Sequence, residues 1–344
     1  MPTRDKLPDN AVIVTEYDEF RSIVQAFADG HHELLIVVGD PGIGKSEEIK
    51  RRMQAKFGAC KWALIACKHT PLDLYQKLYH ARLLPIVLDD LDGLFSNPTN
   101  TAILKSVCDT RPVKRVEYGS MHPAFTQGDD PLPSSFDSIS QVSIITNEWQ
   151  TVSKNLQAIQ DRGLLIFFQP NAVEVHREVA RGRWFDDPEI FAFIGRHLPL
   201  IMRPSFRLYI TAKNCKQSDL NWRDLILRTI KNEATSKMIL VARLLADPSY
   251  DDTPAPELAR KKAFQRLGGG ARATYHRHKT KLCQLQNDAD FMEAASLVLQ
   301  PALPDPHQIA INDRRKQLEA ERDEMEQEDG SLVADYFDAN RFDD

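Results

Sequence analysis

The sequence predicts an α/β fold: a parallel sheet that carries a phosphate-binding loop is sandwiched by helices, and an all-helical lid and a small helical C-terminal domain follow. Three observations predict it. Apolar runs alternate with helical patterns from about residue 34 to residue 168, which is typical of a parallel sheet. A glycine-rich loop separates one of these runs from a helix. After Pro170 the pattern is helical only.

The composition is that of an ordinary globular protein. With 344 residues, of which 42% are hydrophobic and 27% charged, the chain is long enough for one large domain or two to three smaller ones. No apolar run reaches the roughly 18 residues of a membrane span, and the first residues do not resemble a signal peptide. We therefore expect a cytoplasmic protein without a membrane partner. Its 5 scattered cysteines are expected to be reduced thiols.

The net charge of -5 is unevenly distributed along the chain. From Glu319 onward, 11 acidic residues face only Arg322 and Arg341, so this tail sums to -9 and the preceding body to +4. A mildly basic body permits a nucleic-acid partner without requiring one. The acidic tail is either a solvated face or a mimic of DNA that shields a basic surface.

Each predicted strand is a short apolar run that suits burial on both faces of a sheet. The predicted strands are 34–38, 63–67, 85–88, 141–145 and 164–168, with 113–118 as a further candidate. The predicted helices of this part are 16–28, 45–57, 72–82, 99–109 and 152–159. The stretch 128–135 is rich in turn formers and has no clear strand pattern.

The remainder of the chain is predicted to be helical. The predicted helices are 172–181, 188–197, 205–213, 219–231, 257–267, 271–285 and a charged helix at 310–329. A linker or long loop is expected at 247–256. We therefore expect a nucleotide-binding domain at 1–170, a helical lid at 171–246, a helical domain at 257–300 and an acidic, partly disordered tail at 310–344.

The phosphate-binding loop fits the pattern G-x-x-x-x-G-K-[ST] without a mismatch. It comprises Gly39, Asp40, Pro41, Gly42, Ile43, Gly44, Lys45 and Ser46. Its glycines let the backbone wrap a phosphate, and the helix that follows presents its N-terminus to the anion. Lys45 would reach the β- and γ-phosphates, and Ser46 would ligate Mg²⁺. The loop predicts ATP binding, against the alternative of a chance glycine-rich turn.

Two aspartates follow the apolar run at 85–88. An apolar strand that ends in acidic residues places carboxylates at the carboxyl edge of a parallel sheet, beside the phosphate-binding loop. We expect Asp89 to hold Mg²⁺ through water and Asp90 to orient or activate the attacking water. The alternative is a pair of aspartates that cap a helix or form a turn.

Three more polar residues are candidates for the same site. Asn147, which follows the strand at 141–145, can contact the γ-phosphate and the lytic water, although a turn-forming role is the alternative. Arg162 precedes the last strand, where it can reach a neighbouring subunit's γ-phosphate, or lie in a surface turn. Arg207, early in a helix of the lid, can sense the nucleotide, with Arg203 as its rival and a surface position as the alternative.

In this order, the Gly-x-Pro-Gly-x-Gly-Lys-Ser loop, the acidic strand end, the asparagine and the two arginines resemble an AAA+ ATPase. The resemblance covers about residues 15 to 230, and the layout is most similar to helicase loaders, replication initiators and transposition-regulating ATPases. It implies a hexameric ring or helical filament with ATP held between subunits. The family's usual acidic pair is Asp-Glu. Because this chain has Asp89-Asp90, we expect slow hydrolysis or a switch-like ATPase.

The region 257–285 resembles a helix-turn-helix unit with a triple-glycine turn. Between Pro256 and Leu285 it carries eight Lys or Arg and one acidic residue. Lys and Arg side chains could contact DNA phosphates, and Thr274, Tyr275 and His276 could face a groove. An ordinary basic helical pair with a floppy turn is the alternative. The pairs His31-His32 and His276/His278 lack partners at metal-ligand spacing.

The leading hypothesis is an ATP-driven switch that oligomerises and acts on DNA through 257–285. The first alternative is an AAA+ remodeller of an unknown protein partner, but the stretch 68–79 gives no obvious aromatic–hydrophobic–glycine pore loop. The second alternative is an assembly switch that holds nucleotide with little turnover.

Overall fold

A computed structural model describes most of the chain. The described residues are 10–58, 60–66, 69–89, 97–127, 131–147, 159, 162–230, 236–301, 313, 316–318 and 320. The chain divides into two compact units, of which the first comprises Met1–Glu178 and Asp187–Leu297 and the second Val179–Asp186 and Val298–Asp344. The sheet, the phosphate-binding loop and the helices that follow up to residue 297 therefore belong to the first unit, apart from the last turn of one helix.

A sheet of six parallel strands forms the centre of the first unit. The strands of the chain are β1 Val12–Val14, β2 Leu34–Val38, β3 Ala63–Ala66, β4 Ile86–Asp89, β5 Lys114–Glu117, β6 Ser135–Ser138, β7 Val142–Thr146 and β8 Leu164–Phe168. The order across the sheet is β1-β8-β2-β7-β4-β3. Strands β2 and β7 are buried along their whole length, because their apolar side chains face helices on both sides. The predicted fold class is therefore confirmed.

Helices before and between the strands cover the sheet. They are α1 Tyr17–Ala28, α2 Lys45–Phe57, α3 Pro71–His80 and α4 Pro98–Val107. Helices α3 and α4 are capped by Thr70 and Asn97, whose side chains accept hydrogen bonds from backbone N–H groups of the first turn. Their buried residues, such as Leu78 and Leu104, pack with Ile36 of β2 in the main hydrophobic core. The core thus extends to Val38, the last residue of β2 before the loop.

The strands β5 and β6 form a separate two-stranded antiparallel sheet between α4 and β7. The predicted strand at 113–118 corresponds to β5. Strand β6 escaped prediction because its sequence, Ser-Phe-Asp-Ser, is mostly polar and follows a stretch of turn formers. It forms because Phe136 is buried in the main core, whereas Asp137 is exposed and pairs with Arg115 of β5.

Eight helices follow β8 in the described part of the chain. They are α5 Ala172–Gly182, α6 Pro188–His197, α7 Phe206–Gln217, α8 Trp222–Thr229, α9 Ser236–Ala246, α10 Pro256–Arg266, α11 Arg272–Gln286 and α12 Ala289–Ala295. Helices α9, α10 and α11 share a small core that contains Val241, Leu244, Phe264 and Tyr275. The predicted helix 152–159 and the predicted charged helix at 310–329 lie almost wholly outside the described residues. The domain boundaries remain a prediction.

Candidate nucleotide-binding site

The phosphate-binding loop joins the buried end of β2 to the first turn of α2. Gly42 and Gly44 adopt φ values of +80° and +83°, in the left-handed region that favours glycine. Gly39 is required because there is no room for a side chain: a Cβ at this position would lie 2.4 Å from the carbonyl oxygen of Phe168. Three glycines are thus required, two by backbone conformation and one by the close approach of β8.

The Lys45 side chain is buried and its ammonium lies inside the loop. Its Nζ donates to the carbonyl oxygens of Gly39 and Asp40, both at 2.7 Å, and to Oδ1 of Asn147 at 3.1 Å. Asn147 reaches this position because β7 is the neighbour of β2, and the N–H of Gly39 donates to the carbonyl of Thr146. The structure therefore brings Asn147 to the loop, as its position after a strand predicts.

Asp89 lies at the end of β4, beside the first turn of α2. Its Oδ1 accepts a hydrogen bond of 2.8 Å from the Ser46 hydroxyl, and its Oδ2 lies 2.9 Å from the Nζ of Lys50. Asp89 is only 8% exposed. Because a buried carboxylate needs polar partners, the contacts of its two oxygens with Ser46 and Lys50 are what this position requires. Sequence reasoning missed Lys50. Its spacing of four residues from Ser46, which places both on one helix face, was the available signal.

The donor set at this point fits Mg²⁺. The ion prefers oxygen ligands, with carboxylates and hydroxyls among them. The Ser46 hydroxyl and the Asp89 carboxylate are such groups, and the hydrogen bond between them brings them together at the loop. Ser46 and Asp89 are therefore suited to hold Mg²⁺ beside a phosphate, directly or through water. Asp90, the predicted activator of water, lies outside the described residues.

The N-terminus of α7 is seated on the phosphate-binding loop. The carbonyl oxygen of Gly42 accepts hydrogen bonds from the N–H of Phe206 at 2.8 Å and from the hydroxyl of Ser205 at 3.3 Å. A Cβ on Gly42 would lie 3.2 Å from Cγ and Cδ of Arg207, so the stem of that arginine runs along the loop. The guanidinium end belongs to an exposed residue. Arg203, its rival, is exposed and precedes the helix cap.

An aromatic cluster fixes the other side of the loop. The Tyr17 hydroxyl donates to the carbonyl of Ile43 at 3.0 Å. Its ring stacks on Phe206 at 5.9 Å and meets Phe168 edge-on at 5.0 Å. Burial and the nearby carboxylates of Glu178 and Glu174 raise the pKa of Tyr17, so the hydroxyl remains a donor at neutral pH. Sequence reasoning missed Tyr17, Ser205 and Phe206, because each contact depends on tertiary packing.

A cavity of about 270 Å³ opens beside the loop. Its wall consists of Asp40, Ile43, Phe168, Gln169, Pro170, Asn171, Ala172, Ile201, Met202 and Pro204. Most of these side chains are apolar, and Asp40, Gln169 and Asn171 supply polar groups. Such a lining suits a flat heteroaromatic base with a few hydrogen-bonding groups. The cavity therefore extends the phosphate-binding loop into a site with room for a nucleoside.

Arg162 lies at the opposite edge of the sheet from the loop. It immediately precedes β8, and the parallel register pairs Leu164 with Leu35 near the start of β2, whereas the loop follows the end of β2. Its Nη1 donates to the carbonyl oxygen of Lys105 on α4 at 2.8 Å. The structure therefore does not bring Arg162 to the loop of its own chain.

The α10–α11 pair presents a basic surface, but not with all of the predicted residues. The prediction that Tyr275 faces a groove is wrong, because its side chain is fully buried and meets the Phe264 ring edge-on at 5.5 Å. The outer face of α11 instead exposes Arg272, Ala273, His276, Arg277, Thr280, Lys281 and Gln284. This face carries positive charge and hydrogen-bonding groups, and it is open to solvent.

The triple-glycine turn before α11 has a specific backbone conformation. Gly268 and Gly270 have φ values of +80° and +105°, and a Cβ on Gly269 would lie 2.4 Å from the Phe264 ring. Each glycine is therefore needed for backbone conformation or for close packing.

Two further findings apply only to the residues that the structure describes. Among them, no group of three or more His, Cys, Asp or Glu side chains could bind a metal ion. None of the helices described is both long and apolar enough to cross a membrane.

Two solved structures resemble the chain at low similarity. AMPPCP-bound DnaA from Aquifex aeolicus is 13% identical with a TM-score of 0.39, and the match covers 97% of this chain and 99% of that one. NtrX from Brucella abortus, in complex with ATP, is 12% identical with a TM-score of 0.29, and the match covers 81% of this chain and 70% of that one. No protein-family model and no curated protein matches the sequence.

The fold contains the arrangement on which the resemblance to AAA+ P-loop ATPases depends. The loop lies between a central parallel strand and a helix, Asp89 ends β4, Asn147 follows β7, and helices follow the sheet. At TM-scores of 0.39 and 0.29, neither solved structure carries an argument about the fold or the site. Its interpretation therefore rests on the contacts of Lys45, Ser46 and Asp89.

Proposed function

We propose that the protein is an ATP-dependent switch of the AAA+ type, which binds Mg²⁺–ATP and hydrolyses it slowly. The observation that carries the proposal is the buried ammonium of Lys45, held between the loop carbonyls and Asn147. A lysine so placed beside the N-terminus of α2 attracts phosphate oxygens, because both contribute positive potential. The adjacent cavity provides the place for the base.

The residues around the loop divide the work of binding. Lys45 contacts the β- and γ-phosphates, and Ser46 and Asp89 hold Mg²⁺, which neutralises charge on the phosphates. Asn147, already bonded to Lys45, is placed to hold the attacking water against the γ-phosphate. Asp90 activates this water. Its carboxylate is one methylene shorter than that of the usual glutamate, which favours slow turnover.

Arg162 belongs to a neighbouring subunit's site in this proposal. It lies across the sheet from its own loop, so it reaches a γ-phosphate only when another copy brings a loop to it. ATP is then bound between subunits, and the protein assembles into a ring or filament. Arg207, whose stem lies along Gly42, senses the nucleotide from the lid of the same subunit.

The α10–α11 pair is proposed as the DNA-binding surface. Two of its eight basic residues pair with acids, namely Arg260 with Asp251 and Lys279 with Glu257. Six form no ion pair with any described residue: Lys261, Lys262, Arg266, Arg272, Arg277 and Lys281. Basic groups on adjacent helices attract phosphates, and the face of α11 supplies side chains for base edges.

Mass measurement by light scattering tests assembly and partner together. The protein is measured with ATP, with ADP and with neither, each in the presence and absence of a DNA duplex. The proposal expects larger particles with ATP and stronger duplex binding with ATP than with ADP. Lys45→Ala should abolish both effects. Equal duplex binding under all conditions, with ATP hydrolysis intact, would argue against DNA as the partner.

The shorter Asp90 also favours a second candidate, an assembly switch that holds nucleotide with little turnover. Steady-state hydrolysis distinguishes the two. If the protein hydrolyses ATP, Asp90→Ala should trap bound ATP and stabilise the assembly. If it is a binding-only switch, the same substitution should leave the lifetime of bound ATP unchanged.

A further inference from the structure

The carboxylate proposed to hold Mg²⁺ already has a cationic partner within the chain. Lys50 Nζ lies 2.9 Å from Oδ2 of Asp89, and the side chains of the two residues are 31% and 12% exposed. Lys50 follows Ser46 by one helical turn, so both side chains of α2 reach the end of β4. Asp89 is therefore contacted by a hydroxyl on one oxygen and by an ammonium on the other.

The remaining basic residues of α2 have other partners. Arg51 and Arg52 pair with Glu48 of the same helix, and Lys56 pairs with Asp29 at 2.6 Å, away from the loop. Among the basic side chains of this helix, Lys50 is the one that contacts the acidic end of β4. Since partly exposed ion pairs contribute little to folding stability, the position calls for an explanation in terms of the site.

We propose that Lys50 is a built-in counter-cation of Asp89 that competes with Mg²⁺ and lowers the affinity of the site for the metal. A nearly buried carboxylate without a counter-charge is costly, and the Lys50 ammonium removes this cost. When Mg²⁺ is bound beside Asp89, the two positive charges repel each other. The long, partly exposed side chain of Lys50 then moves its ammonium into solvent.

The competition has a consequence for nucleotide binding. Asp89 and Ser46 alone do not retain the metal against Lys50, so the metal depends on oxygens that the phosphates supply. Binding of Mg²⁺ is thereby coupled to the presence of a triphosphate, which offers more oxygen ligands than a diphosphate does. The inference rests on the proposed function of the loop and names a residue that sets its metal requirement.

The test is a Mg²⁺ titration of nucleotide binding rather than of activity. Binding of a fluorescent ATP analogue to the full chain is followed by anisotropy, starting in a chelator and adding MgCl₂. Lys50→Met removes the charge and keeps most of the stem, and Lys50→Arg keeps the charge. Lys56→Met is the matched control, because it removes an ion pair of the same helix away from the loop.

The Mg²⁺ concentration at half-maximal binding should fall about tenfold in Lys50→Met, because a neighbouring opposite charge no longer competes for the carboxylate. It should stay near the wild-type value in Lys50→Arg and Lys56→Met. An unchanged or raised midpoint in Lys50→Met, with the analogue still bound at high Mg²⁺, would overturn the inference. Failure of the wild-type protein to bind the analogue at any Mg²⁺ concentration would instead overturn the proposed function.

A repeat of the titration with an ADP analogue tests the coupling. The wild-type midpoint should be higher with the diphosphate than with the triphosphate, and the difference should shrink in Lys50→Met. Equal differences in the two proteins would show that Lys50 has no part in the coupling. Thermal unfolding of each variant confirms that the comparison is made between folded proteins.

Discussion

At the scale of the residue, Gly42 is constrained both by its backbone conformation and by the close packing of α7. Its φ of +80° disfavours any side chain, and a Cβ there would lie 2.3 Å from the Ser205 hydroxyl oxygen. Gly58 offers a matched control, since its φ is +79° but nothing lies within 4 Å of its Cβ position. Both sites have a positive φ that disfavours a side chain, at Gly58 by about 1–3 kcal/mol because its ψ is 179°, and only Gly42 adds the clash.

Gly42→Ala should therefore weaken binding of a fluorescent ATP analogue at least tenfold, because the clash displaces the start of α7 or the loop itself. Gly58→Ala should lower the unfolding temperature because of its backbone conformation and leave binding within about twofold, because nothing lies near its Cβ position. The measurements are thermal unfolding and a binding titration on both variants. Equal affinities in the two variants would mean that α7 does not support the loop.

The residues of the loop were predictable because their chemistry lies in one short segment. Gly39 to Ser46 form a local pattern, and Asp89 and Asn147 follow apolar strands whose ends meet at one sheet edge. Lys50 and Tyr17 were not predictable in the same way. Their roles depend on which strand end and which lid residue pack against them, and this is a property of the tertiary fold.

At the scale of the element, the stability of the helical region after β8 is expected to depend on pH through two buried histidines. His176 of α5 stacks on Phe191 at 3.9 Å, and His197 ends α6. Burial lowers the pKa of each to about 4, from an ordinary value of 6.5. Because the unfolded chain takes up protons first, stability is present above pH 6.5 and is lost as the pH falls towards 4.

Each histidine should cost about 2 kcal/mol of unfolding free energy between pH 7 and pH 5. Urea denaturation followed by circular dichroism at several pH values measures the loss. His197→Gln should flatten the pH dependence. The same slope in the His197→Gln variant and the wild-type protein would contradict the assignment of the effect to this buried ring.

The basic face of α11 gives a second prediction at this scale. The double variant Arg277→Ala/Lys281→Ala should weaken duplex binding. It should also reduce the slope of log affinity against log salt concentration by about 2, because two phosphate contacts are lost. The double variant Arg111→Ala/Arg115→Ala removes two exposed charges elsewhere and serves as the control. Binding isotherms at several salt concentrations measure both. A loss of the same size in the control would point to net charge alone and not to this face.

The elements themselves were predictable to different degrees for physical reasons. Strands β2 and β8 are wholly apolar, and β7 is apolar at three of its five positions, as suits strands buried on both faces, so their sequences identify them. Strand β1 has only three residues at the edge of the sheet, and three of the four residues of β6 are polar. Such strands are specified by their neighbours more than by their own pattern.

At the scale of the whole molecule, the loop and Arg162 occupy opposite edges of one sheet. A single copy can complete the phosphate-binding side of the site through Lys45, Ser46 and Asp89, but it cannot add Arg162. The proposed site is therefore divided between two copies. This division allows a test in which each of two inactive variants supplies what the other lacks.

Arg162→Ala should bind the ATP analogue normally and lose at least a hundredfold in turnover, because the transition-state charge is no longer stabilised. Lys45→Ala should bind no nucleotide. Mixed together, the two should recover part of the activity, since a Lys45→Ala subunit still offers its Arg162 to the loaded site of an Arg162→Ala neighbour. Turnover is measured across mixing ratios, with the Lys45→Ala/Arg162→Ala double variant as the control partner. Recovery with the double variant, or none with the single one, would rule out a shared site.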